Sequence, residues 1–74
     1  MGRMNIMGDK GDIRVEWDPD VEEEVKAAEK QFNELTKKKW MAFRMYDDGK
    51  KGERLEEFDK TAERILLVPP MVGG

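Results

Sequence analysis

Apolar and polar positions alternate along Ile13 to Trp17, where Ile13, Val15 and Trp17 are separated by Arg14 and Glu16. A two-residue period is that of a strand with one buried face. The period then changes. In the stretch WDPDVEEEVKAAEKQFNELTKKK, residues Val21, Val25, Ala28, Phe32 and Leu35 recur at spacings of three and four, which puts them on one narrow stripe of a helix. Asp18 is the expected N-cap and Pro19 the expected first helical residue, because a proline there loses no hydrogen bond. Carboxylates crowd the start (Asp20, Glu22, Glu23, Glu24) and lysines the end (Lys37, Lys38, Lys39), the arrangement that a helix dipole favours. A single apolar stripe calls for a single packing partner, most simply the face of a sheet.

Three further strands are expected after the helix. In KWMAFRMY, the alternation predicts that Met41, Phe43 and Met45 point inward. The turn signal DDGKKG separates it from ERLEEF, whose glutamates suit an edge position. DKTAE reads as a loop or a single helical turn. RILLVPP is apolar without alternation, which predicts a central strand covered on both sides, ended by two prolines that cannot donate to a ladder. The fold class is therefore α+β: two layers, with one helix on a small mixed four-stranded sheet. Residues 1–11 are expected to be a flexible N-terminal leader; the alternative, a short partner strand at Asn5-Ile6-Met7 ahead of the first strand, is the weaker reading because the segment contains only one β-branched residue. Residues 12–68 are expected to form a single domain, and residues 69–74 an extended tail.

Composition narrows the functional classes. The chain has 74 residues, no cysteine and no histidine, and 42% of it is charged, with a net charge of -3. A chain of this length buries a small core. Without Cys or His it lacks the usual thiolate, metal ligand and neutral-pH proton shuttle. These absences argue against an enzyme, and no cofactor or metal is expected. The mild, well-mixed acidity gives no electrostatic footprint for nucleic acid, and the longest apolar run, Ile65 to Met71, is far too short for a membrane span. The N-terminus does not read as a signal peptide, and a cytoplasmic protein is expected. Glu22, Glu23 and Glu24 are better explained by the helix dipole than as metal ligands. Asp47-Asp48-Gly49 lacks the later ligands of a calcium loop. Lys37, Lys38 and Lys39 beside Trp40 are too few for a nucleic-acid patch.

The C-terminus is unusual. With glycine at about 7% of residues, a Gly-Gly end arises by chance about 0.5% of the time. Ahead of Gly73 and Gly74 stand Val68, Pro69, Pro70, Met71 and Val72. Prolines fix φ and remove donors, so this segment should leave the sheet as a pre-stiffened arm. The terminal glycines have no Cβ, so their carboxylate could enter a narrow channel.

ERILLVPPMVGG, residues 63–74, resembles the C-terminus of the MoaD/ThiS-type sulfur carriers, which are ubiquitin-like β-grasp proteins. Pro69, Pro70, Gly73 and Gly74 match the family pattern position by position. The resemblance implies an E1-like partner enzyme that adenylates the Gly74 carboxylate with ATP. The product then becomes a thiocarboxylate, or an isopeptide bond to a lysine in ubiquitin-like relatives. Gly73 would give clearance, and Val68, Pro69, Pro70, Met71 and Val72 would dock on the partner. The alternative is a small non-catalytic binding or assembly module, such as a viral or mobile-element structural or regulatory protein, with the tail as a docking peptide.

Overall fold

Five strands and one helix follow one another in a computed structural model that describes residues 1–8, 11–46 and 48–70. Strand β1 (Gly2–Ile6) and β2 (Ile13–Trp17) form an antiparallel hairpin, with Met4 opposite Val15 and Gly2 opposite Trp17. Helix α1 (Glu22–Lys37) follows, then β3 (Met41–Met45), β4 (Lys51–Leu55) and β5 (Arg64–Val68). The sheet order is β2-β1-β5-β3-β4. β5 runs parallel to β1 and antiparallel to β3, so the sheet is mixed. The α+β class holds. The sheet has five strands rather than four, because Gly2–Ile6, assigned above to the leader, is a strand paired on both sides. Its burial alternates strictly, with Gly2, Met4 and Ile6 inside. Methionine and glycine carry that alternation, and neither is a residue from which a strand is readily inferred.

The helix starts later than its sequence suggests. Pro19 and Asp20 form a turn, closed by the Val21 N–H on the Asp18 carbonyl at 2.9 Å. The Asp18 side chain accepts from the Asp20 N–H at 2.9 Å, which is the local bond that lets aspartate compete with helix. Val21 thus occupies the N-cap position with no side-chain cap.

At the other end, the Trp40 N–H reaches the Leu35 carbonyl and the Lys39 N–H the Thr36 carbonyl, both at 3.1 Å. This is a Schellman motif, with Leu35 and Trp40 both packed on the core. Its left-handed position is held by Lys39 at φ 74°, where a Cβ is strained and glycine is not. Lys39→Gly is therefore expected to stabilise the protein by about 1 kcal/mol. A thermal melt of the two proteins checks this, and an unchanged or lower midpoint counts against the assignment.

α1 packs Ala28 and Phe32 against Met4, Ile6, Trp17, Ala42, Ala62, Ile65 and Leu67, which together form the core. The Trp17 ring meets Phe58 at 5.0 Å in a tilted contact, and Phe58 meets Phe32 edge-on at 5.7 Å. The indole N–H of Trp17 donates to the Lys60 carbonyl at 2.9 Å. Two further expectations are corrected here. β3 presents Ala42, only 1% exposed, to the helix side, while Met41, Phe43 and Met45 lie on the opposite face and are half-buried. A one-residue change of register turns every side chain over, and a small alanine lies flat under the helix where a phenylalanine would not. β5 is central, as expected, but is covered on one side only. Ile65 and Leu67 are buried, whereas Leu66 and Val68 are half-buried on the far face. β4 is an edge strand, displaced toward the N-terminus of the ERLEEF segment. Phe58 lies beyond it and joins the aromatic cluster instead.

Candidate functional site

Strand β5 carries the tail. It is held on both edges, by β1 in parallel and β3 antiparallel, and its last ladder pair is Val68 with Met41. Pairing stops there because the two following residues have no N–H to give. Of the residues singled out in the sequence, Val68 ends the strand, Pro69 is exposed and Pro70 is half-buried, both outside regular structure. Met71, Val72, Gly73 and Gly74 lie outside the described residues.

Beside this tail root lies the face of the sheet opposite α1. Across its middle, Arg14, Asn5, Leu66, Phe43 and Arg54 stand in register from β2 to β4. The Oδ1 atom of Asn5 is shielded from solvent and meets no donor. Farther from the tail, Glu16 adjoins Arg3, Arg3 adjoins Arg64, and Met45 adjoins Lys51. Nearer to the tail, Val68 faces Met41. The face thus runs from apolar at the tail root to cationic at its far end.

A bulge makes part of this arrangement. Phe43 pairs with Arg54, but Met45 pairs with Lys51, so β4 spends one residue more than β3 over the same stretch. In a regular strand, residues 51 and 54 would point to opposite faces. The extra residue brings both to the same face, and the Lys51 ammonium lies 4.6 Å from the centre of the Phe43 ring. Gly52 sits inside the bulge, where an added Cβ would come within 2.6 Å of the Tyr46 ring and 2.8 Å of the Arg44 carbonyl. Sequence reasoning missed this face. The alternation of Arg3 with Asn5 and of Arg64 with Leu66 contains part of the signal, but the bulge has none.

On the helix side, the other groups with chemistry are structural. Arg44 pairs with Asp59, both partly exposed. Asp59 also accepts from the Thr61 hydroxyl at 2.6 Å and from the Thr61 N–H at 2.9 Å. These Thr61 bonds, hydroxyl first, then the Arg44 charge, hold the Asp59 carboxyl below its ordinary value of 3.8. A carboxyl depressed in the fold contributes stability above its unfolded value and loses it as pH falls through the folded one. Asp59→Asn is therefore expected to cost about 1 kcal/mol at neutral pH. The difference between the two proteins should close as pH falls well below 3.8. Denaturant midpoints taken across that range check it, and a gap that persists in acid contradicts it. Glu22 pairs with Lys26 at 3.2 Å on the exposed helix surface, one turn apart. Asp48 accepts from the Lys50 N–H at 3.0 Å, as a turn aspartate does. Among the described residues, no group of three or more acidic, His or Cys side chains could hold a metal, and no helix is long and apolar enough to cross a membrane.

The geometry therefore offers two features: a proline-ended central strand leading to the tail, and a graded open face beside it. No protein-family model matches the chain, and neither a curated protein nor a solved structure matches it.

Proposed function

We propose that the protein is a ubiquitin-like carrier or modifier whose Gly74 carboxylate is activated by an E1-like enzyme. The observation that carries this reading is the position of β5, the middle strand of a five-stranded sheet, whose pairing ends at Val68 just before Pro69 and Pro70. A strand anchored on both edges gives the tail a rigid base, and prolines lower the ordering cost of docking it. The β1–β2 hairpin ahead of the helix also supports a β-grasp-like arrangement, since such a domain begins with a hairpin. In the proposed reaction, a carboxylate oxygen of Gly74 attacks the α-phosphorus of ATP and pyrophosphate leaves. For conjugation, a partner cysteine thiol then displaces AMP to give a thioester, and a lysine amine displaces that thiol to leave an isopeptide bond; for sulfur transfer, hydrosulfide from a sulfur donor displaces AMP directly and leaves a Gly74 thiocarboxylate. The chain supplies no catalytic side chain, only a carboxylate on a stiff mount.

The test is pyrophosphate–ATP exchange with the E1-like enzymes of the source organism. Exchange that depends on this protein and vanishes when Gly73 and Gly74 are removed supports the reading. Exchange that survives their removal overturns it.

A second reading, a non-catalytic binding or assembly module, draws on the open sheet face. It differs in what it asks of the tail: residues added after Gly74 should be tolerated as long as Val68, Pro69, Pro70, Met71 and Val72 are kept.

A further inference from the structure

We infer that the protein forms a two-fold dimer through the free edge of β2, which pairs antiparallel with the β2 of a second copy and joins the two sheets into one. Such a dimer does not depend on chemistry at Gly74. β1 stands between β2 and the tail-bearing β5, so the junction does not involve the tail root. The open groups of the edge follow from the neighbouring ladder. The N–H groups of Arg3 and Met7 donate to β5, at the carbonyls of Glu63 and Leu67. Successive residues of a strand turn their N–H and C=O to opposite edges, so Gly2, Met4 and Ile6 bond β2 instead. Their partners in register are Trp17, Val15 and Ile13. Arg14 and Glu16 therefore aim both backbone groups out of the sheet, where β2 has no neighbouring strand among the described residues. Asp18, the next residue with that direction, is already satisfied: its N–H donates to the Glu24 carboxylate at 2.9 Å and its carbonyl accepts from the Val21 N–H at 2.9 Å.

Charge selects the register. A second β2 can bond this edge with Arg14 opposite the partner's Arg14, with Glu16 opposite the partner's Glu16, or with Arg14 opposite the partner's Glu16. The first two set like charges directly across the ladder, which destabilises it. In the third, the two-fold axis passes through Val15, and each Arg14 faces a Glu16 of the other copy. The N–H and C=O of Arg14 and Glu16 on both strands are then bonded as well. On the helix side, Val15 meets the partner's Val15, and Ile13 stands opposite the partner's Trp17. Ile13 belongs to the apolar row of the strand yet is 61% exposed, and Val15 is half-buried. The axis is normal to the sheet, so both helices lie on one side of it and both apolar residues gain cover at the junction.

The opposite edge of the sheet is built differently. β4 carries a lysine, a glycine and a bulge, devices that keep an edge from pairing. β2 has no lysine, glycine or proline, and its register with β1 is unbroken. Pairing β2 with the β4 of another copy would propagate as an open filament, and the register shift in β4 interrupts such a ladder. A strand from a different protein meets the same backbone groups, but nothing on β2 selects it. The order Arg-Val-Glu is complementary to itself when reversed, which selects a second copy.

Sedimentation equilibrium of the unmodified chain tests this, at protein concentrations up to about 1 mM, where weak association is still read. The expected result is a reversible rise from 8.6 kDa toward twice that mass. Arg14→Glu should weaken the dimer at least about tenfold, because both charge pairs become repulsive. The swap Arg14→Glu/Glu16→Arg should restore it, which loss of a merely structural role would not. Val15→Cys reads the register. The chain has no other cysteine, and opposed residues of a non-hydrogen-bonded antiparallel pair have Cα atoms about 4.5 Å apart, within disulfide range. Mild oxidation should link this variant into a dimer much faster than Lys30→Cys, a control on the exposed helix surface. Circular dichroism checks each fold, and the charge series decides the matter if Val15→Cys folds poorly. A chain that stays at 8.6 kDa throughout, a larger open polymer, a dimer indifferent to Arg14→Glu in a folded variant, or a folded Val15→Cys protein that links no faster than the control would each overturn the inference.

Discussion

Trp17→Ala is expected to cost about 3–5 kcal/mol, the range for truncating a fully buried aromatic. A small domain has a stability of only about 5–15 kcal/mol, with a chain this short toward the low end. The variant should therefore be largely unfolded at moderate temperature. The reason is how many elements one side chain joins. Trp17 has no exposed surface, and its ring meets Phe58 and through it the helix residue Phe32. Its N–H satisfies the Lys60 carbonyl in the segment between β4 and β5. On β1, Gly2 leaves the space that the indole fills. A Cβ there would lie 2.1 Å from the ring, so Gly2→Ala should also destabilise, by forcing the ring or the strand to move. Trp17→Phe keeps an aromatic but leaves the Lys60 carbonyl without its indole donor, and should fall between wild type and Trp17→Ala. Circular dichroism at the helix band during denaturant titration orders the series. A Trp17→Ala protein as stable as wild type would contradict the packing described.

Appending one residue after Gly74 is expected to abolish activation by the E1-like enzyme while leaving the melting temperature unchanged. The carboxylate would then sit one residue too far along, on a residue whose Cβ does not pass where glycine does. The effect should be all-or-none, since adenylation needs that carboxyl carbon in place to within a fraction of an ångström. Stability should not move, because among the described residues the ladder pair nearest the C-terminus is Val68 with Met41. Partial activity that falls gradually with the length of the extension would favour a docking peptide over an activated terminus.

The fold was partly legible in the sequence, and the reasons are local. β2, α1 and β5 could be read because isoleucine, valine and leucine, or a stripe at helical spacing, carry their signal. The orientation of β3 could not. Its more apolar residues, Met41, Phe43 and Met45, share one face, and tertiary packing turns the other face inward: Ala42 lies under the helix and Phe43 under Lys51. β1 was missed because methionine and glycine write its alternation. The helix start was misplaced because Asp18 bonds the Asp20 N–H in a turn instead of capping the helix. Of the candidate site, the proline-ended central strand could be anticipated from RILLVPP. The cationic face could not, because its members come from four strands and a bulge in β4 turns Lys51 onto it.

The central claim, a Gly74 carboxylate that takes part in covalent chemistry, is tested most directly by mass. The intact protein is incubated with ATP, a sulfur donor and the E1-like enzymes of its source organism, and then weighed. The expected result is a gain equal to the exchange of one oxygen for sulfur, or a conjugate to a lysine-bearing protein, located at Gly74 by fragmentation. An unchanged mass with every such enzyme, under conditions where a known carrier is converted, would contradict the claim.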